Sequence, residues 1–155
     1  MVEIERKFLV KNDSYQQEAF ASFKIKQGYL NSHPERTTRV RVKGEQAFIT
    51  VKGKSSENGL SRFEWEKEIN VNDAEALLAL CEPGKIEKTR FLVKSGAHTF
   101  EIDEFYGDNQ GLVVAEVEMN TEKEEVLLPD WLNKEVTGEA KYYNSALINL
   151  PYKDW

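Results

Sequence analysis

The chain is poor in cysteine and histidine and has no long apolar runs, and each shortage excludes a class of function. With one cysteine in 155 residues there is no disulfide framework and no cysteine-based metal site; Cys81, inside the apolar run ALLALCEPG, reads as a buried structural thiol. The two histidines, His33 beside Pro34 and His98 in SGAHTF, fall at turn positions where an isolated imidazole is solvated rather than catalytic. No apolar stretch approaches the ~20 residues of a membrane helix, and charge appears by position 3, which rules out the apolar segment of a signal peptide. A cytoplasmic protein that does not meet the membrane is therefore expected. A Ser-His-Asp arrangement is missing, and GKSSENG lacks the spacing of a phosphate-binding glycine loop. There is no fixed-period repeat, and no low-complexity tract is longer than a loop. The net charge of -6 opposes general affinity for nucleic acid or an anionic bilayer, so any anionic ligand needs a local basic site.

What is present is alternation. Apolar and polar residues alternate at period two in VEIERKFLV, TTRVRVK, QAFITVKG, SRFEWEKEI, KTRFLVK, TFEIDEF and LVVAEVEM, with turn signals KGE, SSENG, KSGAH and YGDNQG between them. Adjacent pairs should form antiparallel hairpins. Four stretches carry helix start signals: NDSYQQEAF, NDAEALLALCEPG stopped by Pro83 and Gly84, TEKEEVLL, and a C-terminal YYNSALINL. The length and a 40% hydrophobic content suit one domain spanning residues 1–155. Its expected class is α+β, an antiparallel sheet large enough to close with helices packed outside.

One face of these strands is charged throughout. Glu3, Glu5 and Lys7 share it on the first strand, followed by Arg39 and Arg41, Lys52, Glu64 and Glu66, Lys88 and Arg90, Glu101 and Asp103, and Glu116 and Glu118. The opposite face carries Ile4, Phe8, Val40, Val51, Phe63, Trp65, Phe100, Ile102 and Val117, among others, and is the one rich enough for a core. A single strand of this kind is ordinarily a sheet with one wet side. Seven in succession, with like charges paired at i, i+2, strain that account, because like charges held close are destabilising unless an opposite charge sits between them. Carboxylate pairs suit a hard divalent cation and Arg/Lys pairs suit phosphate, so a metal-chelated phosphate chain satisfies both. Two unit charges ~4 Å apart at an effective dielectric near 20 interact by about 4 kcal/mol, so the cavity must stay wet when empty.

Glu3-x-Glu5-x-Lys7 at the N-terminus resembles the hallmark of the CYTH superfamily, the triphosphate tunnel metalloenzymes. The ordered remainder is similar too: Arg39-x-Arg41, Lys52 in TVKG, Arg62-x-Glu64-x-Glu66, Lys88-x-Arg90, Asp103 in EIDEFYG, Glu116-x-Glu118 and KYYNSAL. The resemblance implies an eight-stranded antiparallel β-barrel forming a tunnel with a charged lumen, Mg2+ or Mn2+ as cofactor, and hydrolysis or cyclisation of a small triphosphate. On that reading Lys7, Arg39, Arg41, Lys52, Lys88 and Arg90 clamp phosphate oxygens. Lys141, where many relatives carry arginine, keeps the charge but loses bidentate geometry. Glu3, Glu5, Glu64, Glu66, Asp103, Glu116 and Glu118 supply metal ligands, directly or through water. Lys52 and Glu66 are also candidates for the chemistry itself, and Tyr29 in KQGYLN could orient or deprotonate the attacking water or simply pack at the rim. Glu101 faces the same way without being clearly part of the pattern, while Trp65, Trp131 and Trp155 are expected outside the tunnel. Three functions remain open at this point: a triphosphatase acting on inorganic tripolyphosphate, a class IV-type adenylate cyclase, and a polyphosphate-binding module without turnover. Exposed edge or helix surfaces leave room for a homodimer.

Overall fold

The computed structural model describes all of residues 1–155 and contains nine strands. They are β1 (Val2–Val10), β2 (Ala21–Asn31), β3 (Arg36–Lys43), β4 (Gln46–Ser55), β5 (Ser61–Ile69), β6 (Ile86–Ser95), β7 (His98–Phe105), β8 (Val113–Glu118) and β9 (Leu132–Glu135). The helices are short: α1 (Tyr15–Glu18), α2 (Val71–Leu78) and α3 (Asn144–Leu147). All strand pairings are antiparallel, in the order β5-β4-β3-β2-β6-β7-β8-β1-β9. A further β5–β1 pairing closes the first eight strands into a barrel. β1 makes this closure possible by dividing one of its edges: Val2–Ile4 pair with β5, and Phe8 and Val10 pair with β9. Its other edge, from Glu5 to Leu9, pairs with β8.

Closure turns the period-two alternation into an inside and an outside. Two apolar clusters lie on the outside. Phe8, Val93, Phe100, Ile102, Ala115 and Val117 are covered by Tyr15 of α1 and by Trp131 and Leu132. Val40 and Ala47 are covered by Ala74 and Leu78 of α2, whose start is capped by the Asn70 side chain accepting from the Asn72 amide. Here β2 passes very close to the end of α2: a Cβ at Gly28 would lie 2.9 Å from Cys81 Cβ, so only glycine fits. Cys81 is half-buried at this crossing rather than fully enclosed.

The third cluster is internal. Tyr29, Phe105 and Val114 stand on the inward parity of their strands, beyond Gln27, Asp103 and Glu116, and pack with Ile86, Leu112, Tyr142, Leu147 and Ile148. The last three belong to the C-terminal segment, so a 3-10 turn at Ala140–Tyr142 and α3 cap one end of the lumen with apolar side chains.

Three expectations change. Residues 121–128, TEKEEVLL, form a turn and extended chain, not a helix. An isolated two-turn helix is marginal, and the segment instead packs Val126 on the outer cluster while the Leu127 carbonyl accepts from Ser95 Oγ at 2.7 Å. β2 and β9 are additional strands. On β5 the outward Phe63 and Trp65 are outside the lumen as expected, but no helix covers them, and they stay 46% and 40% exposed.

Candidate active site

The barrel encloses a cavity of about 210 Å³ lined by 21 residues, only two of them hydrophobic. Eight of the lining residues are Lys or Arg and seven are Glu. Nearly every strand contributes, because each places alternate residues inward and the register sets those residues side by side: Lys7 opposite Glu116, Glu116 opposite Glu101, Arg39 opposite Thr50, Lys52 opposite Glu64.

Most cations are held by carboxylates. Lys52 Nζ donates to both oxygens of Glu3, at 2.8 and 3.0 Å, and lies 3.3 Å from Glu64. Lys7 Nζ is 3.3 Å from Glu116. Arg90 donates to both oxygens of Asp103, at 2.7 and 2.9 Å, and to Glu101 at 2.8 Å. Lys88 Nζ donates to Asp103 Oδ2 at 2.7 Å and to Asn144 Oδ1 at 2.8 Å. Arg39 reaches Glu66 through Thr50, whose hydroxyl accepts from Arg39 at 3.1 Å and donates to Glu66 at 2.7 Å; the buried Arg39 Nε has no partner. Arg41 has only Gln27 Oε1, 3.1 Å from its Nε.

The electrostatics sort the acids into two groups. Burial pushes the Glu5 carboxyl well above its usual range, and Glu116 and Glu3 add to that push. Glu64 and Glu118 are raised by burial and by Glu3. Burial also opposes ionisation of Glu116, but Lys7 and Arg90 outweigh it and bring the group to about 2. Asp103 lies far below the ordinary carboxylate range, since Arg90 and Lys88 overcome its burial. Among the bases, burial brings Arg41 down to about 9, with Arg39 and Arg90 adding to the effect. For Lys7 burial is outweighed by Glu116 and Glu5, which raise it to about 12.

The structure brings together Glu3, Glu5, Lys7, Tyr29, Arg39, Arg41, Lys52, Glu64, Glu66, Lys88, Arg90, Glu101, Glu116 and Glu118 around this one space, with Arg62 at its wall. Two expected residues are placed elsewhere. Lys141 is exposed, with Nζ 4.4 Å above the Trp155 ring and 5.2 Å above Tyr142, on the solvent side of the cap. Asp103 is not among the lining residues: it is 2% exposed, and both of its oxygens accept from Arg90 and Lys88. Tyr29 joins the apolar cap with its ring and borders the cavity as well. The sequence reading passed over Lys43, Thr37 and Thr50, and it quoted Tyr143, Asn144 and Ser145 within KYYNSAL without giving them a role. Lys43 and Thr50 continue the inward parity of Arg41 and Lys52, and that signal was available. The last three enter on the C-terminal cap, whose return into the barrel no local periodicity announces.

The remaining carboxylates suit a hard divalent ion. Glu5 and Glu118 have no ion-pair partner within the chain, and all the donors are oxygens. No three acidic side chains by themselves converge closely enough to hold an ion, so an ion here would need water and ligand oxygens to complete its shell. A closed antiparallel barrel with cations and free carboxylates around one polar lumen has the chemistry to receive a polyanion together with a hard cation.

The chain belongs to the CYTH domain family, whose pattern matches residues 1–146. It is 43% identical over 154 residues to an inorganic triphosphatase of Acetivibrio thermocellus, covering 99% of this chain and 97% of that protein. It is 37% identical over 156 residues to an inorganic triphosphatase of Nitrosomonas europaea, covering 97% of this chain and all of that one, 100%. The crystal structure of the inorganic triphosphatase NE1496 superposes with a TM-score of 0.67 at 33% identity, covering 94% of this chain and 93% of that one.

Proposed function

We propose that the protein is a divalent-metal-dependent triphosphatase that hydrolyses the terminal phosphoanhydride of inorganic tripolyphosphate to orthophosphate and diphosphate. The observation that carries this reading is the lining itself: eight cations and seven glutamates around about 210 Å³ of space. Two hydrophobic residues among 21 offer no apolar slot for a nucleobase, which disfavours the cyclase reading. Arg39, Arg41, Lys52, Lys88, Arg90 and Lys7 bind the phosphate oxygens and offset the charge that spreads over them as the terminal phosphoryl group transfers. Water attacks the terminal phosphorus in line, the bridging P–O bond breaks, and diphosphate leaves with the electron pair. Glu66 is the candidate acceptor of the water's proton: Oε2 is engaged by Thr50 and Arg39, leaving Oε1 for the water. Tyr29 walls the capped end. Glu3, Glu5, Glu64, Glu116 and Glu118 would hold Mg2+ or Mn2+, which would neutralise phosphate charge and acidify a coordinated water. A cytoplasmic location belongs to this reading, in keeping with the single free thiol. The bare outer face of β5, with Phe63 and Trp65, is where a homodimer would form, and sedimentation of the Trp65→Ser variant tests it.

The deciding experiment is to incubate the purified chain with Mg2+ or Mn2+ and tripolyphosphate, ATP or thiamine triphosphate, and to measure orthophosphate and cyclic AMP. Orthophosphate release from tripolyphosphate well above that from ATP is expected. Cyclic AMP without orthophosphate would sink the proposal, and tight binding without either product would make the protein a binding module.

A further inference from the structure

Arg41 on β3 and Arg90 on β6 line the lumen on either side of β2, and their supports differ in charge. Arg90 is held bidentately by the carboxylate of Asp103. Arg41 has no carboxylate within ion-pair distance; its Nε donates to the neutral side chain of Gln27, which is fully buried, at 0% exposure. Gln27 Nε2 in turn donates to Asn144 Oδ1 at 3.0 Å, the same oxygen that accepts from Lys88 Nζ at 2.8 Å. The sense of both amides is forced. Guanidinium and ammonium groups have no acceptor, so Gln27 must turn its carbonyl to Arg41 and Asn144 must turn its carbonyl to Lys88. Asn144 borders the cavity, and its Nδ2 has no protein acceptor.

We propose that Gln27 is a positioning residue that aims Arg41 at the substrate without spending its charge, and that Asn144 ties this arm to Lys88 and offers its own amide N–H to a phosphate oxygen. The proposal rests on the triphosphatase reading above. A carboxylate at position 27 would pair with Arg41 as Asp103 pairs with Arg90, and Arg41 would be neutralised before the anion arrived. A hydrocarbon there would leave the guanidinium free to swing. Only a neutral acceptor gives both direction and residual charge. Because Asn144 begins α3, the same arm makes the capping segment part of the binding surface rather than a mere plug. The depressed basicity of Arg41, down to about 9 through burial and its arginine neighbours, is what an unneutralised buried cation should show.

The test compares Gln27→Glu, Gln27→Met and Asn144→Ala with the parent, using Mg2+-tripolyphosphate for KM and kcat, metal-free tripolyphosphate for Kd by calorimetry, and thermal melts for folding. Gln27→Glu should keep the melting temperature yet raise KM and Kd by about 10-fold at pH 8, with kcat changed less. That defect should shrink as the pH is lowered and the introduced carboxyl takes a proton. Gln27→Met should show a similar rise with no such pH dependence, and Asn144→Ala a rise of roughly 5-fold. A purely structural Gln27 would instead lower the melting temperature and leave the KM ratio independent of pH. Folded Gln27→Glu with KM and Kd within about 2-fold of the parent at pH 8 would overturn the proposal. Should either Gln27 variant fail to fold, Asn144→Ala decides: an unchanged Kd overturns the arm. A parent that binds tripolyphosphate but does not hydrolyse it overturns the functional reading alone, and one with no affinity for it overturns both.

Discussion

Asp103 accepts three hydrogen bonds of 2.7 to 2.9 Å from Arg90 and Lys88 and is 2% exposed, whereas Glu5 lines the cavity with no cation in ion-pair contact. The two carboxylates therefore have opposite energetic signs in the empty molecule. Removing the charge of Asp103 leaves buried Lys88 with no anionic partner and Arg90 with Glu101 alone, so Asp103→Asn is expected to cost about 3–5 kcal/mol in denaturant melts; a loss below about 1 kcal/mol would refute the pairing. Removing the charge of Glu5 relieves repulsion from Glu116 and Glu3 as well as a burial cost. Glu5→Gln should raise the melting temperature by roughly 2–4 °C at pH 8 in a chelator, the shift expected of about 1 kcal/mol, with no gain near pH 4.5. The same variant should lose at least ~10-fold in turnover, since a group that destabilises the empty site is the one waiting for an ion. Alternation along a strand told which way Asp103 and Glu101 face but not how deep each lies, which is why only the shape of the barrel separates a cavity-lining Glu101 from a buried Asp103. Lys141 misled for a different reason. It lies in a 3-10 turn, where period two has no meaning, and the cation settles on the Trp155 and Tyr142 rings.

The elements that were legible are those with a uniform inward face. β1, β3 and β5 carry charge at every second residue, and the barrel follows once those faces are made to converge. β2 escaped notice because its inward residues change character along its length, from Phe23 and Ile25 through Gln27 to Tyr29, as the strand passes from the wall to the capped end. β9 is only four residues long and exists because β1 leaves half an edge free. The cap shows how an element of one turn can matter to the site. Leu147 is 1% exposed and anchors α3 in the internal apolar cluster, three residues after Asn144. Leu147→Ala is expected to cost about 2–5 kcal/mol and to raise KM for tripolyphosphate, because loosening α3 displaces the Asn144 amide. Trp65→Ser on the bare face of β5 supplies the control: half-exposed and outside the lumen, it should leave kcat and KM within 2-fold on the order expected of surface changes. A Leu147→Ala enzyme with lowered stability but unchanged KM would detach the cap from binding.

For the molecule as a whole, the balance of charge around one lumen makes stability a function of pH with a calculable sign. Glu3 and Glu116 ionise more readily in the fold than in the open chain, where the value is 4.5; Glu116 comes down to about 2. Their stabilisation is complete above 4.5 and is lost as the pH falls toward 2, with Glu116 contributing on the order of 3 kcal/mol. Glu5, Glu64 and Glu118 are raised, so the unfolded chain binds fewer protons than the fold above 4.5 and stability declines as the pH rises through their folded values. Burial lowers Lys88 to about 7 from 10.5, so from 7 upward the unfolded chain binds the extra proton and stability recovers. The metal-free protein should therefore melt highest near pH 5, sag toward pH 7 and recover above it. Saturating Mg2+ with tripolyphosphate should lift the neutral range most, because the bound cation gives Glu5 and Glu118 the opposite charge they lack. At a ligand concentration 100 times Kd the lift is about 2.7 kcal/mol, or roughly 5–10 °C for a chain of this size. Melting curves from pH 2 to 9, with chelator and with ligand, check both halves of the argument. A chelated protein whose melting temperature climbs steadily from pH 5 to 8 would mean that the free carboxylates of the lumen do not repel one another, and the case for a metal between them would go with that repulsion.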